Sequence, residues 1–451
     1  MREFCEVEKS ECTHLSSGLN SSLPRAVSGA LRHAPRTPEL TGLPFHFLVE
    51  HVLKVLFLRG QIGLPELALH LKLPTSVIDA LIVFMRAEKL CDVIRRGASN
   101  TDADLTYSLT ESGRGRATEA LARSAYAGPA PVTLADYCEQ VETQQVAQMR
   151  ILREDVLNEF ADVVVSPLVI EQLGAAMNCG RAIFIHGMPG SGKTYLAERL
   201  ANLLRGDILV PHAVLVDSEV VQLYDPAVHK AVPDSQGLAS RIDKLRQPDA
   251  RWVRCVRPTV LTGGELTLDM LDLQFDAGTR TYQAPPHLKA NNGLFIIDDL
   301  GRQRCSPVEL MNRWIVPLDR RIDFLTLHTG HKFKVPFDVV VVFSSNLPPA
   351  KLADEAFLRR LGYKVHIGPQ PEADYEMIFR SECARHDIAW CSETFHYLLH
   401  QKHYREERPL LACYPRDLIS QVRDLARYEG SVPALNERVL DWAWKNFFTG
   451  R

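Results

Sequence analysis

The stretch Gly187-Met188-Pro189-Gly190-Ser191-Gly192-Lys193-Thr194 constrains this chain more than any other, because it matches the phosphate-binding pattern G-x-x-x-x-G-K-[ST] in full. The apolar run Ala182 to His186 before it predicts a strand, and Tyr195 to Leu204 after it predicts a helix. Gly187, Gly190 and Gly192 allow the backbone to turn its N–H groups toward phosphate oxygens. The helix opening near Lys193 adds its positive end to the same spot. Lys193 is placed to reach the β- and γ-phosphates of a nucleotide, and Thr194 to ligate the magnesium ion that bridges them. The plain alternative is a Gly-rich turn before an ordinary helix; it leaves the strand, the lysine and the threonine unexplained.

At 451 residues the chain exceeds one ordinary domain, and roughly two to four are expected. An apolar content of 46% is enough for real cores. A formal net charge of −3 argues against a surface built throughout to hold nucleic acid, and leaves room for a local basic patch. The ten cysteines form no C-x-x-C pair and no Cys/His cluster at zinc spacing, so reduced thiols in a cytoplasmic protein are expected. Met1 to Glu6 carries acidic residues rather than a secretory signal. No apolar run reaches the ~18 residues of a membrane helix; Phe47 to Leu58 comes closest and is interrupted by Glu50, His51 and Lys54. The expectation is a soluble chain with no membrane insertion.

Along the chain, residues 1–42 are rich in Ser, Pro, Gly and Arg without apolar period, which predicts a mobile tail. Residues 43–123 read as short helices and a hairpin: Leu48, Val52, Val55 and Leu56 at helical spacing, a second helix at Leu64 to Leu71, and a third opening at Pro74-Thr75. Two strands, Leu90 to Arg95 and Leu105 to Leu109, and a closing helix, Thr110 to Arg123, complete it. That order resembles a winged helix-turn-helix domain of α+β type. A DNA-reading third helix would present Arg, Lys, Asn or Gln, whereas this one carries Val77, Ile78, Leu81, Ile82, Val83, Phe84 and Met85, with Arg86 and Lys89 offset by Asp79 and Glu88. Protein docking therefore ranks above DNA binding. Residues 124–161 read as an Ala/Pro/Gly linker and a long polar connecting helix from about Leu134 to Phe160.

Residues 162–370 carry the site. Leu294-Phe295-Ile296-Ile297-Asp298-Asp299 is a buried strand ending in two carboxylates: Asp298 can hold the magnesium shell and Asp299 can polarise the attacking water. With the phosphate loop upstream, this pair resembles the acidic strand of the AAA+ ATPases. The resemblance extends to Val339-Val340-Val341-Val342-Phe343-Ser344-Ser345-Asn346, like the sensor 1 strand with Asn346 as its polar end. Asp354 to Arg360 is similar to the segment that bears the arginine finger, with Arg359 and Arg360 as equal candidates, and Tyr414-Pro415-Arg416-Asp417-Leu418 is similar to sensor 2, with Arg416. The resemblance implies an α/β P-loop AAA+ core, a parallel sheet flanked by helices, with a helical lid over 371–451. It also implies ATP and Mg2+ as ligands, and a homo-oligomeric ring, most commonly a hexamer.

One departure concerns the chemistry. The family usually ends its acidic strand in Asp-Glu, whereas Asp299 is a methylene shorter, and a misplacement of about 1 Å can cost on the order of a hundredfold. Slow turnover, or a nucleotide-gated switch, stays open. Arg251 to Thr262, alternating as a strand, and Leu271 to Tyr282, turning at Asp276-Ala277-Gly278, look like insertions; Phe324 to Val335 is a further hairpin before sensor 1. They resemble the AAA+ branch with a helix-2 insert and a pre-sensor-1 hairpin; plain surface hairpins are the alternative. In layout the chain resembles bacterial predicted ATPases with chaperone activity associated with pilus assembly. The implied function is remodelling of a protein client, and the alternative is an ATP-switched DNA-binding regulator or loader. The lid's Trp390, Phe395, Trp442, Trp444 and Phe447 read as packing, and His186, His212 and His331 as lacking ligand partners.

Overall fold

The computed structural model describes residues 32–96, 105–233, 247–352 and 354–448. At the centre lie five strands: β1 (Ala182–Gly187), β2 (Thr259–Thr262), β3 (Gly293–Ile297), β4 (Val339–Ser345) and β5 (Leu361–Ile367). Their spatial order is β2-β3-β4-β1-β5, and every neighbouring pair is parallel. Parallel sheets are covered on both faces by their crossovers; β3 and β4 are accordingly buried throughout, and apolar up to Ser344 and Ser345 at the end of β4. Successive side chains point to opposite faces. Ile183, Ile185, Leu294, Ile296 and Val342 enter one core with Leu196 and Leu200 of α1 (Lys193–Leu200). Phe184, Phe295, Ile297, Val341 and Phe343 enter the other with Leu310 and Trp314 of α2 (Pro307–Arg320).

The segment Arg251 to Thr262, expected as one inserted strand, is two strands in two sheets. Trp252–Val256 pairs antiparallel with Asp207–Pro211, and after the break at Arg257-Pro258 the chain enters the central sheet as β2. Proline has no N–H for a ladder. Here its carbonyl accepts from Leu294 N at 2.9 Å, against a Gly293 whose Cβ position would lie 2.1 Å from that oxygen. Arg257, 5% exposed, turns inward and donates to the carbonyls of Arg205, Gln144 and Asn292.

A second sheet, not anticipated from the sequence, contains Ala213–Val216 and Glu219–Gln222. Val132–Thr133 joins one side, and the hairpin Gln274–Asp276/Thr281–Gln283 the other. The hairpin Ile322–Thr326/Lys332–Pro336 packs into the same apolar cluster through Leu325, Phe333 and Val335. Phe275 stacks on His328 at 4.2 Å, and the Tyr282 hydroxyl pairs with the His328 ring, so the two expected hairpins are fastened to each other.

The second hairpin is anchored at its base by Asp323, which accepts from Arg313 Nη1 and Nη2 and pairs with His287 Nε2 at 2.8 Å. Burial pushes the Asp323 carboxyl up, but the hydrogen bonds from His287 and Arg313 outweigh it and bring it down to about 2. Asp323→Ala strips buried His287 and half-buried Arg313 of their shared acceptor and is expected to cost about 3–5 kcal/mol, read as a lower denaturant midpoint. The unfolded carboxyl titrates near ~4, so this contribution is full above that pH and disappears as pH falls through about 2.

The N-terminal unit orders Phe45–Arg59, Leu64–Leu71, Thr75–Ala87, Cys91–Arg96, Leu105–Leu109 and Glu111–Arg123, with Ile62–Gly63 completing a three-stranded sheet. Residues 97–104, between its last two strands, lie outside the described residues, as do 1–31 of the expected tail. Residues 32–42 depart from that expectation: Arg32 bonds Asp136, Glu139 and Gln140, and Ala34 N donates to Gln247 O. The linker is strapped to the N-terminal core, with Ala130 N donating to Leu71 O at 2.8 Å and His51 Nε2 paired with Gly128 O at 2.9 Å. The long connecting helix is broken into Leu134–Thr143, Val146–Gln148 and Arg153–Glu159. Buried Gln144 ends the first piece by donating to Leu209 O and Asn292 Oδ1, and Asp338 captures the N–H of Val146.

The C-terminal unit contains α3 (Glu372–Arg385), α4 (Cys413–Glu429) and α5 (Glu437–Phe447), with Ser392–Tyr397 and the π-helical Leu398–Tyr404 between. Its core gathers Tyr375, Phe379, Phe395, Leu418 and Trp444; Trp442, expected there, is 42% exposed. Among the described residues the cysteines are unpaired, and no single helix is long and apolar enough to cross a membrane.

Candidate functional site

In a parallel sheet the ends of the strands deliver polar residues to one edge. The register aligns Ile297 with Phe343 and Ser345 with His186, so Asp298, Asp299 and Asn346 emerge beside the loop that follows β1. That loop takes left-handed backbone at Gly190, φ +83, and Gly192, φ +93, which side-chain-bearing residues rarely adopt. α1 begins at Lys193, leaving its first N–H groups without helical partners.

The side chains form two short chains of hydrogen bonds. Lys193 Nζ donates to Met188 O at 2.9 Å and to Asn346 Oδ1 at 2.8 Å, while Asn346 Nδ2 donates to Asp299 Oδ1 at 2.8 Å. Thr194 Oγ1 donates to Asp298 Oδ2 at 2.8 Å. Asp299 has φ +49, and its turn is pinned by Leu300 N donating to Ser344 O and Ser345 Oγ donating to Leu300 O. Burial pulls the Lys193 ammonium below its ordinary range, while Asp298 and then Asp299 oppose that shift. The Ser191 hydroxyl is buried without a partner. Turned-in backbone, a buried cation and an orphan hydroxyl suit an anionic phosphate chain. Thr194 and Asp298 offer hard oxygens of the kind magnesium takes from a protein when phosphates and water supply the rest. Among the described residues no group of three or more His, Cys, Asp and Glu could hold a metal by itself.

A cavity of about 540 Å³ opens over this loop, lined by Pro189 to Thr194, Asp298, Asp299 and Asn346. The C-terminal unit supplies the opposite wall, where Arg416 lines the cavity with its Nε 3.2 Å from Asp417. The two walls touch directly: Cys413 N donates to Gly190 O at 3.1 Å, and a Cβ on Gly190 would lie 2.4 Å from Cys413 Sγ. Gly187 and Met188 stand at the loop entrance, Met188 giving its carbonyl to Lys193. Arg359 and Arg360 lie outside the cavity. Arg359 is exposed after the short helix Glu355–Leu358, whereas Arg360 Nε pairs with Asp319 on α2 at 2.7 Å.

The cavity also uses residues that the sequence did not single out: Asp162 to Val165, Arg302, Ile378, Glu382 and Arg385. Arg302, close behind the acidic pair, was within reach of inspection. The α3 residues were not, because no sequence signal pairs that helix with the phosphate loop.

Residues 371–446 match a family described as "Domain of unknown function (DUF8689)". Among solved structures, NtrX from Brucella abortus in complex with ADP is 14% identical, with 64% of this chain and 57% of that chain covered and a TM-score of 0.39. A Thermotoga maritima RuvB variant is 11% identical, with 68% and 73% covered and a TM-score of 0.36. The strand order and the phosphate loop at the end of β1 decide the fold class. It is an α/β P-loop core, a parallel sheet flanked by helices. The cavity thus lies between that core and the helical unit that follows it.

Proposed function

We propose that this chain is an ATPase that binds Mg-ATP in the cavity, hydrolyses it at sites shared between subunits of a ring, and uses the motion to remodel a protein client. The observation that carries the reading is the hydrogen-bonded chain from Lys193 through Asn346 to Asp299, beside the pair Thr194–Asp298. Magnesium, held through Thr194 and Asp298, would supply charge neutralisation at the phosphates. Lys193 binds the β- and γ-phosphates. Asp299 accepts the proton of the attacking water, and Asn346, by donating to Asp299 Oδ1, fixes the carboxylate that must do so. Arg416, on the opposite wall, reads the nucleotide for the lid, whose contact with Gly190 makes it responsive as a rigid body.

For the arginine supplied in trans, Arg359 is the better placed of the two, since Arg360 is held by Asp319 within its own subunit. A guanidinium added across an interface is worth roughly 10³–10⁵ in rate. Arg359→Ala is expected to abolish the rise of specific ATPase activity with protein concentration, and Arg360→Ala to leave most of it. The reverse ranking, from steady-state assays of both variants, would reassign the finger.

The winged-helix-like N-terminal unit is the proposed client-docking element. On its third helix, Val83 is 58% exposed and Phe84 38% exposed, with the Phe84 ring edge-on to Phe45 at 5.0 Å. Two exposed apolar side chains beside the balanced charges Asp79 and Arg86 suit a protein partner better than a phosphate backbone.

A further inference from the structure

We infer that Glu382 determines which nucleotide this site accepts, by taking a hydrogen bond from the exocyclic amino group of the base. The inference rests on the nucleotide reading above and names the base chemistry that the site selects. On α3 the positions 378, 381, 382 and 385 fall on one helical face, and Ile378, Ser381, Glu382 and Arg385 all line the cavity. Glu382 is 7% exposed. One of its oxygens, Oε1, accepts from Arg385 Nη1 at 2.8 Å, and the other, Oε2, is buried without any partner. A buried acceptor with nothing to accept from is costly, and such groups in native proteins mark a strained or ligand-binding position.

The ligand's chemistry decides what Oε2 can serve. An ionised carboxylate accepts and does not donate, so it repels a phosphate chain and suits the uncharged end of a nucleotide. Ile378 stands one turn before Glu382 on α3, and Val163, Val164 and Val165, from the segment leading into the core, line the same cavity, as do the polar Asp162, Ser381 and Arg385. Flat apolar surfaces with one placed polar group are what a heterocyclic base requires. Arg385 orients the carboxylate through Oε1, leaving Oε2 for the amino N–H of adenine. A ribose hydroxyl is the competing donor, and 2′-deoxy-ADP separates the two.

A site that hydrogen-bonds an amino group rejects the analogue lacking it, and one charge-assisted hydrogen bond corresponds to about tenfold to hundredfold in affinity. The test is calorimetric titration of the full chain with magnesium present, using ADP, purine riboside diphosphate, 2′-deoxy-ADP and inorganic pyrophosphate. The wild type is expected to bind ADP about tenfold to hundredfold more tightly than purine riboside diphosphate. Glu382→Ala is expected to erase that preference while leaving pyrophosphate affinity unchanged, which also shows the variant folded. Glu382→Gln keeps an amide oxygen and is expected to fall between the two. If both variants keep the wild-type preference, or if 2′-deoxy-ADP rather than the purine analogue loses affinity, Glu382 does not read the amino group. In either case the nucleotide reading stands on pyrophosphate and ADP binding. If none of the four probes binds the wild type, both the nucleotide reading and this inference fall together.

Discussion

Lys193→Ala is expected to weaken nucleotide binding by about 10²–10⁴-fold, since each charge-assisted hydrogen bond to phosphate contributes on the order of 1.5–3 kcal/mol and Lys193 serves two phosphates. The lysine is already desolvated and committed to the loop, with Nζ on Met188 O and Asn346 Oδ1. Its removal therefore takes away a buried cation of the phosphate loop, beside Asp298 and Asp299. Titration with a fluorescent ADP analogue, in magnesium, measures the loss. Affinity within about threefold of wild type would mean that the loop does not hold phosphates in the way its geometry implies.

Asp299→Asn is expected to lower ATP turnover by about 10²–10⁴-fold with nucleotide affinity preserved, the usual range for removing a general base. The substitution is informative because the amide oxygen of asparagine can still accept from Asn346 Nδ2, now 2.8 Å from Asp299 Oδ1. Shape and hydrogen bonding survive while basicity is lost. A single-turnover assay beside a binding isotherm separates the two. Turnover equal to wild type, with wild type itself barely active, would favour a nucleotide-gated switch over a remodelling ATPase.

How much of this was readable beforehand follows from how local each signal is. The phosphate loop was readable because strand, turn glycines, lysine and helix start are contiguous. Asp298, Asp299 and Asn346 were readable because each ends a continuous apolar strand, and the parallel register then brings them together. The second sheet was not, because its strands are short and take partners from distant segments, Val132–Thr133 with Ala213–Val216 among them. The alternation of Arg251 to Thr262 was real, but periodicity cannot show that Arg257-Pro258 sends its two halves into different sheets. The two arginines that follow the short helix looked equivalent until Asp319 of α2 claimed one of them. Glu382 was invisible for the same reason: its meaning lies in a wall shared with Val163 to Val165, far away in sequence.

The most direct test of a shared-site ATPase is specific activity of the purified wild-type chain across a protein concentration series, with Asp299→Asn as the paired control. Specific activity that rises with concentration to a plateau, with the variant inactive at every point, is the expected result. Specific activity independent of concentration, or a variant as active as wild type, would contradict it.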